Sequence, residues 1–227
     1  RVCGEYISME SWYFLNDLGV ELEKIKVSII TQLQVSAVNG KLLQHKLPLG
    51  GFGISRYLLD YTLVKIARAT GVVVQENTRV NEIVFNHTEF SIDASPQSYV
   101  AKVACGSYGK RSNIDIKWKR PFSLAAKNKL NNYIGVKYHI RANFPVDTIA
   151  LHNFKNGYCG IVKIEEAKYN LCYLTTADNL QKSKGDIKIM EQTILGDNPH
   201  LKKIFAESKM LFSTPVTISQ ISFDKKS

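Results

Sequence analysis

Three short stretches of this chain hold residues whose types and spacing could do chemistry. Cys3-Gly4-Glu5 sets a thiol and a carboxylate on either side of a residue without a side chain. Arg56 opens a strongly periodic apolar segment with Asp60 four residues on, a place from which a guanidinium can reach a negative group. Gly106 and Gly109 bound Ser107-Tyr108, a turn where the backbone can come close to a phosphate. Each stretch also has a plainer reading. Cys3 can serve as a small apolar residue, Arg56 can pair locally with Asp60 in the weaker Arg-first order, and the glycines can close an ordinary strand-end turn. The five histidines (His45, His87, His139, His152, His200) show no metal-ligand spacing, so they read as structural or surface groups and no metal is expected. Neither a G-x-S-x-G elbow nor a P-loop is present.

The elements that must hold these residues can be read from periodicity. Ser8 caps an expected helix over 8–18, with Trp12, Leu15 and Leu18 in register and Gly19 as its stop. Residues 26–37 alternate as a strand, Asn39-Gly40 reads as a hairpin turn, and a return strand falls near 41–47. After the glycines of Leu49-Gly50-Gly51-Phe52-Gly53, Ser55 caps the strongest helix, about 56–70, with Leu59, Leu63, Ile66 and Ala67 as its apolar set and Gly71 at the C′ position. Val72-Val73-Val74 then reads as a buried, parallel-type strand. Strands are expected at 79–85, 88–93, 98–105, 131–142, 147–154, 158–164, 170–176 and 215–223. Helices are expected over 177–195 and 198–211, the second opened by Asn198-Pro199.

Composition narrows the class. The chain has 227 residues, 44% hydrophobic and 22% charged, which suits a globular protein of one large or two small domains and not a disordered one. No apolar run approaches the ~20 residues of a membrane span, and no signal-peptide pattern, internal repeat or low-complexity tract is seen. The four cysteines form no C-x-x-C pair and read as reduced thiols of a cytoplasmic protein, although their even number allows two disulfides. The net charge is +10, of which the segment 102–130 carries +7 through Lys102, Lys110, Arg111, Lys117, Lys119, Arg120, Lys127 and Lys129 against Asp115. Such a patch, with Trp118 and Phe122 among the charges, could attract a phosphate-bearing partner; a solvated basic face is the plainer reading, and no nucleic-acid motif accompanies it. The chain starts at Arg1 and stops just after an expected strand, so it reads as an internal piece of a longer protein.

Read together, the three stretches resemble a known group. Arg1-Val2-Cys3-Gly4-Glu5-Tyr6-Ile7-Ser8 resembles the Cys-Gly loop after the second strand of the FAD-binding domain in p-hydroxybenzoate hydroxylase-like flavoproteins, within the subgroup of geranylgeranyl reductases, flavin monooxygenases and halogenases. Ser55-Arg56-Tyr57-Leu58-Leu59-Asp60, with Leu63 and Ala67, is similar to that group's R-x-x-L-D-x-x-L-x-x-x-A helix, and Gly71-Val72 through Thr78-Arg79-Val80 continues the pattern. Gly106-Ser107-Tyr108-Gly109-Lys110-Arg111-Ser112 resembles its G-A-D-G-x-R-S turn. The likeness covers most of residues 1–175. Tyr108 departs from it, standing where the group carries Asp. The G-x-G-x-x-G turn would precede Arg1 and the G-D motif would follow Ser227. The W-x-W-x-I-P of tryptophan halogenases and the Y-x-W-x-F-P of geranylgeranyl reductases are not found, since Trp12 and Trp118 lie far apart and Tyr158–Lys163 has neither Trp nor Pro.

The resemblance implies a mixed α/β fold: a partial Rossmann-like FAD/NAD(P)-binding domain (1–26 and 53–123) interleaved with an antiparallel β substrate domain (27–52 and 124–227). It implies FAD as cofactor with NAD(P)H as reductant, bound through Arg1, Cys3, Gly4, Arg56, Val80, Gly106, Tyr108 and Gly109, with Cys3 beside the ring as the catalytic candidate. The expected activity is C=C reduction or monooxygenation of a hydrophobic or aromatic small molecule. Tyr133, Tyr138, Phe144, Phe154, Tyr158 and Tyr173 are read as the wall over that substrate, although a core stripe would explain them equally well. A cytoplasmic location is expected and peripheral membrane contact is left open. The rival readings are a non-catalytic basic protein for nucleic acid, the less favoured partner, or anionic lipid, and a degenerate flavoprotein fold. The piece alone is expected neither to bind FAD nor to turn over.

Overall fold

The computed structural model describes residues 2–109, 112–121 and 132–221. They divide into two compact units, one of residues 2–72 with 132–221 and one of 73–109 with 112–121. In chain order the first unit begins with β1 (Tyr6–Ser8), a 3₁₀ turn, α1 (Trp12–Asp17), α2 (Leu22–Ile25), β2 (Ser28–Ser36), β3 (Leu42–Gly53) and α3 (Arg56–Ala69). The second contributes β4 (Glu82–Phe85), β5 (Phe90–Ala94), β6 (Gln97–Ala101) and α4 (Asn113–Lys117). The first then resumes with β7 (Tyr133–Arg141), β8 (Thr148–Phe154), β9 (Gly157–Lys163), β10 (Tyr169–Thr176), α5 (Ala177–Lys182), α6 (Ile187–Thr193), α7 (Pro199–Glu207), β11 (Lys209–Met210) and β12 (Val216–Ile221). Among the described residues no helix is long and apolar enough to cross a membrane.

The first unit is built on a nine-stranded sheet in the order β1-β3-β2-β8-β9-β10-β7-β11, with β12 also on β7. Among the described residues its pairings are antiparallel except β2 with β8, so the sheet is mixed. Alternation along β7–β10 sends Ile134, Val136, Ile140, Ala150, Cys159, Ile161, Leu171 and Tyr173 to one face, where Met190, Leu195 and Leu201 of the helical segment seal them. Full burial stabilises each of the valine, isoleucine, leucine and methionine side chains by about 1.5–3 kcal/mol. One carboxylate enters this core: Glu191 on α6 accepts from Tyr138 Oη (2.8 Å) and Tyr173 Oη (2.9 Å). Burial raises its pKa although both phenols oppose that shift. A second cluster joins Leu15, Val20 and Leu22 to Phe52, Ile54 and Leu59, so α3 packs on the end of β3. The second unit carries a three-stranded antiparallel sheet, β4-β5-β6.

Local signals fix several boundaries. Ser55 Oγ accepts from the Leu58 amide (3.1 Å), the cap expected for α3. Gly71 follows that helix at φ +87°, which a residue with a Cβ resists. At the β2–β3 turn Gly40 takes φ +84°, and Ala37 N–H donates to the Lys41 carbonyl (2.9 Å). This hairpin tip is pinned from behind by Asn198, which caps α7 through the His200 and Leu201 amides. Its Nδ2 reaches Ser36 Oγ (2.7 Å), the Ala37 carbonyl (3.1 Å) and the Asn153 carbonyl (3.0 Å). His152 on β8 completes the node. Its Nδ1 sits 2.8 Å from Ser36 Oγ, its ring stacks on His200 at 5.3 Å, and its buried Nε2 has no partner among the described residues.

Other expectations are corrected. Residues 72–74 form no strand, because a β-branched run without a paired neighbour gains no ladder, and Val72 and Val73 lie exposed. The helix expected over 177–195 is two helices, broken where Lys184 and Gly185 take φ +54° and +80° and Asp186 recaps the chain. The helix expected to reach 211 ends at Glu207, and Lys209–Met210 pairs with β7 instead.

Candidate functional site

The opening loop lies on the sheet face opposite the helical core. On that face β7 presents Lys137 and His139, and their register partners on β10 are Cys172 and Asn170. Asn170 Nδ2 donates to the carbonyls of Cys3 (3.1 Å) and Gly4 (2.9 Å), which fastens the loop backbone to β10. Glu5 anchors the next residue. Its Oε1 accepts from Lys137 Nζ and from the Arg56 amide (2.8 Å), and its Oε2 lies 2.8 Å from His139 Nε2. The carboxylate is fully enclosed, with side-chain exposures of 0% for Glu5, 7% for Lys137 and 17% for His139. Burial alone would raise the Glu5 pKa; the bonds from His139, Lys137 and the Arg56 amide outweigh it, and the carboxyl sits below its ordinary value. Glu5 also holds φ +55°, an uncommon conformation for a residue with a side chain.

The same contact fixes the start of α3. The Ser55 amide donates to Glu165 Oε2 (2.8 Å) and the Arg56 amide to Glu5, so two buried carboxylates receive the amides that open the helix. Arg56 Nη2 makes the local pair with Asp60 (2.7 Å) that the spacing allowed. Its Nε remains a buried donor with no partner among the described residues. Cys3, Gly4 and Arg56 are therefore brought to one place, and space above Gly4 is open, since a Cβ built there meets nothing within 4 Å. Cys172 is a poor nucleophile, its thiol pushed by burial to about 12.

Beyond the loop the same sheet face is apolar and half-exposed, formed by Leu33, Val35, Ile149, Leu151, Cys172 and Leu174 around Gly160. Gly160 has no steric reason to be glycine: a Cβ there meets Leu151 Cδ2 at 3.5 Å and backbone oxygens at 3.7 and 3.8 Å, all ordinary contacts. At Gly53, by contrast, a Cβ would strike the Lys163 carbonyl. A strand-interior glycine commonly marks a bulge, a bend or a place where a ligand or another backbone comes close. Of the six aromatics expected to form a wall, Phe154 and Tyr173 are core, and Tyr138 and Phe144 pack against it. Tyr133 and Tyr158 fall on the open face by alternation, as the partners of Thr176 and Leu174.

The second unit has its own cavity of about 700 Å³, whose lining includes Arg79, Val80, Cys105, Gly106, Tyr108 and Ser112. It joins the Val80 and Gly106–Tyr108 candidates, although Val80 follows no strand. The Tyr108 ring covers Gly106, and its Oη donates to Asp115 Oδ1 (3.2 Å), a buried carboxylate on α4 that also faces Arg120 Nε at 3.6 Å. Gly109 takes φ +75° with open space beside it. Arg1 lies outside the described residues, as do Lys110, Arg111, Phe122, Lys127 and Lys129 of the basic segment. Within that segment Lys117 faces Glu82 (3.5 Å) and Arg120 lies 5.0 Å from the Trp118 ring. The four cysteines are free, and no cluster of metal-ligating side chains occurs among the described residues.

Sequence reasoning missed Glu5 as an anchor, together with Lys137, His139 and Asn170. The K-x-H spacing does place both side chains on one strand face, but nothing local ties them to Glu5 at the other end of the chain.

No protein-family model and no curated protein sequence matches the chain. Solved structures do match it. A flavoprotein/dehydrogenase from Cytophaga hutchinsonii aligns with TM-score 0.72 at 15% identity, over 96% of this chain and 57% of its own. The myxobacterial chondrochloren halogenase CndH, described as a variant of FAD-dependent halogenases, gives 0.71 at 12%, over 96% and 55%. The halogenase PltM, solved in complex with phloroglucinol and FAD, gives 0.65 at 13%, over 96% and 52%. The chain thus spans about half the length of the structures it matches. Its fold is that of part of an FAD-dependent halogenase or flavoprotein dehydrogenase, the group to which the three sequence stretches pointed.

Proposed function

We propose that this chain is part of an FAD-dependent oxidoreductase acting on a hydrophobic or aromatic small molecule. The observation that carries the reading is the joining of Cys3, Gly4 and Arg56 around the buried Glu5 carboxylate, beside an open apolar sheet face in a fold shared with flavin enzymes. The residues present fit the cofactor. The orphaned Arg56 Nε offers a buried donor to a polar group, and the open space at Gly4 admits a flat ring. In the second unit Arg79, Val80, Gly106 and Tyr108 line one cavity, with Arg79 as its cation, and belong to the proposed cofactor-binding set. Gly109 leaves the backbone there accessible, and Arg1 belongs to the proposed set on sequence alone.

When bound, FAD would supply the redox chemistry, using reducing equivalents from NAD(P)H for C=C reduction or for oxygen activation. The chain's own residues do the rest. Asn170 and Glu5 hold the loop, Cys3 and Gly4 present thiol and backbone to the ring, and Arg56 supplies positive charge. The face around Gly160 excludes water and accepts the substrate's apolar surface. The division into a cofactor part (1–26 and 53–123) and a substrate part (27–52 and 124–227) belongs to the same proposal. So does a cytoplasmic location, which the four free thiols favour. The test is to purify the full-length protein and record its visible spectrum. Flavin absorbance bleached by NADH or NADPH is expected; a colourless protein that takes up no added FAD refutes the reading.

A further inference from the structure

We infer that Glu5 is a positioning residue, which sets Arg56 and the Cys3–Gly4 loop in register with each other. The inference rests on the flavin reading for its purpose and on geometry alone for its content. The Glu5 carboxylate receives the Arg56 amide at the start of α3 and Lys137 and His139 from β7, and the Glu5 backbone carbonyl accepts from the Ile54 amide (3.1 Å). Its amide in turn faces Cys3 Sγ at 3.5 Å. The helix that carries Arg56 and the loop that carries Cys3 therefore share a single anchor.

Stability alone is a weak explanation for that anchor. A buried ion pair gives up hydration that an apolar pair of the same volume never has, and replacing it with such a pair is often neutral or stabilising. Glu5 also takes a left-handed backbone conformation where glycine would be free of strain. Gly4, its neighbour, has open space beside it, so the chain places the glycine at the exposed position and the charged, strained residue at the joint. Asn170 supports the arrangement from β10, with its Oδ1 buried and without a partner among the described residues. The feature that Glu5 provides, and that an apolar residue cannot, is simultaneous hydrogen bonding to a helix amide and to the Lys137 and His139 side chains on a strand. That fixes relative position.

The test uses the full-length protein and two variants, Glu5→Gln and the paired change Glu5→Leu with Lys137→Met, which removes both charges and keeps the volume. Iodoacetamide labelling read by peptide mass reports loop docking at Cys3, and Cys159, fully buried, reports the integrity of the fold. In the paired variant Cys159 should stay protected while Cys3 labels about tenfold faster and the amides of residues 56–58 lose hydrogen-exchange protection. FAD affinity should fall by about tenfold, because the two contacts are no longer held in register. If Glu5→Gln labels at Cys159 as well, the paired variant decides. Should the paired variant fold and label at Cys3 at the wild-type rate, the positioning role is overturned. Should Cys3 be released with FAD affinity unchanged, Glu5 still positions the loop and the flavin reading of that loop fails. If the paired variant also exposes Cys159, wild-type exchange decides: common protection at residues 4–6 and 56–58 supports the inference, and independent protection overturns it.

Discussion

His152 should make the fold acid-labile by an amount that can be worked out in advance. Its ring is buried behind the β2–β3 hairpin, and burial, with the His200 ring stacked beside it, lowers its pKa from 6.5 to about 4. A depressed histidine pKa means that folding favours the neutral ring. Above the unfolded value the group costs nothing; as the pH falls below it, the unfolded chain takes up a proton that the folded chain refuses until about pH 4. At 1.36 kcal/mol for each pH unit of difference the full loss is about 3 kcal/mol, and about 2 kcal/mol of it falls between about pH 7 and about pH 4.5. The assay is urea unfolding at those two pH values for the wild type and for His152→Asn, whose amide can replace Nδ1 toward Ser36 Oγ. Glu5, whose lowered pKa gives stability that is lost as the pH falls through its folded value, titrates in both proteins and cancels in the comparison. The wild type should lose about 2 kcal/mol more than the variant over this range. Equal losses would refute the argument that the buried ring is held neutral.

Three further outcomes are expected. Gly53→Ala should destabilise the protein by about 3 kcal/mol or prevent folding, because its methyl group meets the Lys163 carbonyl, whereas Gly160→Ala should stay within about 1 kcal/mol in thermal melts. Asn198→Ala removes the α7 cap and the donor shared by Ser36, Ala37 and Asn153, and should cost about 2–3 kcal/mol in urea titration. Iodoacetamide at neutral pH should modify exposed Cys105 first, Cys172 far more slowly, and Cys159 only after denaturation, as peptide mapping would show.

What could be read from the sequence was local. Ser55, Asn198-Pro199 and Asn39-Gly40 announce a cap, a helix start and a turn because each acts on amides within three residues of itself. Residues 72–74 misled because β-branched composition states a preference that is realised only beside a partner strand. The break at Lys184-Gly185 was missed although it is written locally, in six residues (181–186) without an apolar side chain, a glycine that takes positive φ and an aspartate that caps the next helix. At the site, Cys3, Gly4 and Arg56 could be recognised as a set, but their common anchor could not. Glu5 meets Lys137 and His139 only after more than a hundred intervening residues have folded back, and no periodicity encodes that return.

The parallel pairing of β2 with β8 has a consequence for biosynthesis. β2 takes its second neighbour from β8, and the residues from Ser36 to Thr148 must be translated before that neighbour exists. At ~5–20 residues per second the delay is on the order of ten seconds. Throughout it the nascent hairpin exposes the far side of Ser-Ile-Ile-Thr-Gln-Leu-Gln-Val-Ser, a strand with no lysine, no proline and no charge to discourage foreign strands. The polypeptide made in that interval includes residues 73–109 and 112–121 of the second unit, none of which can cover the waiting edge as β8 does. Synthesis in a heterologous host should therefore be limited by capture of this unguarded edge, and a lysine at Gln32 or Gln34 is where its solubility would be won.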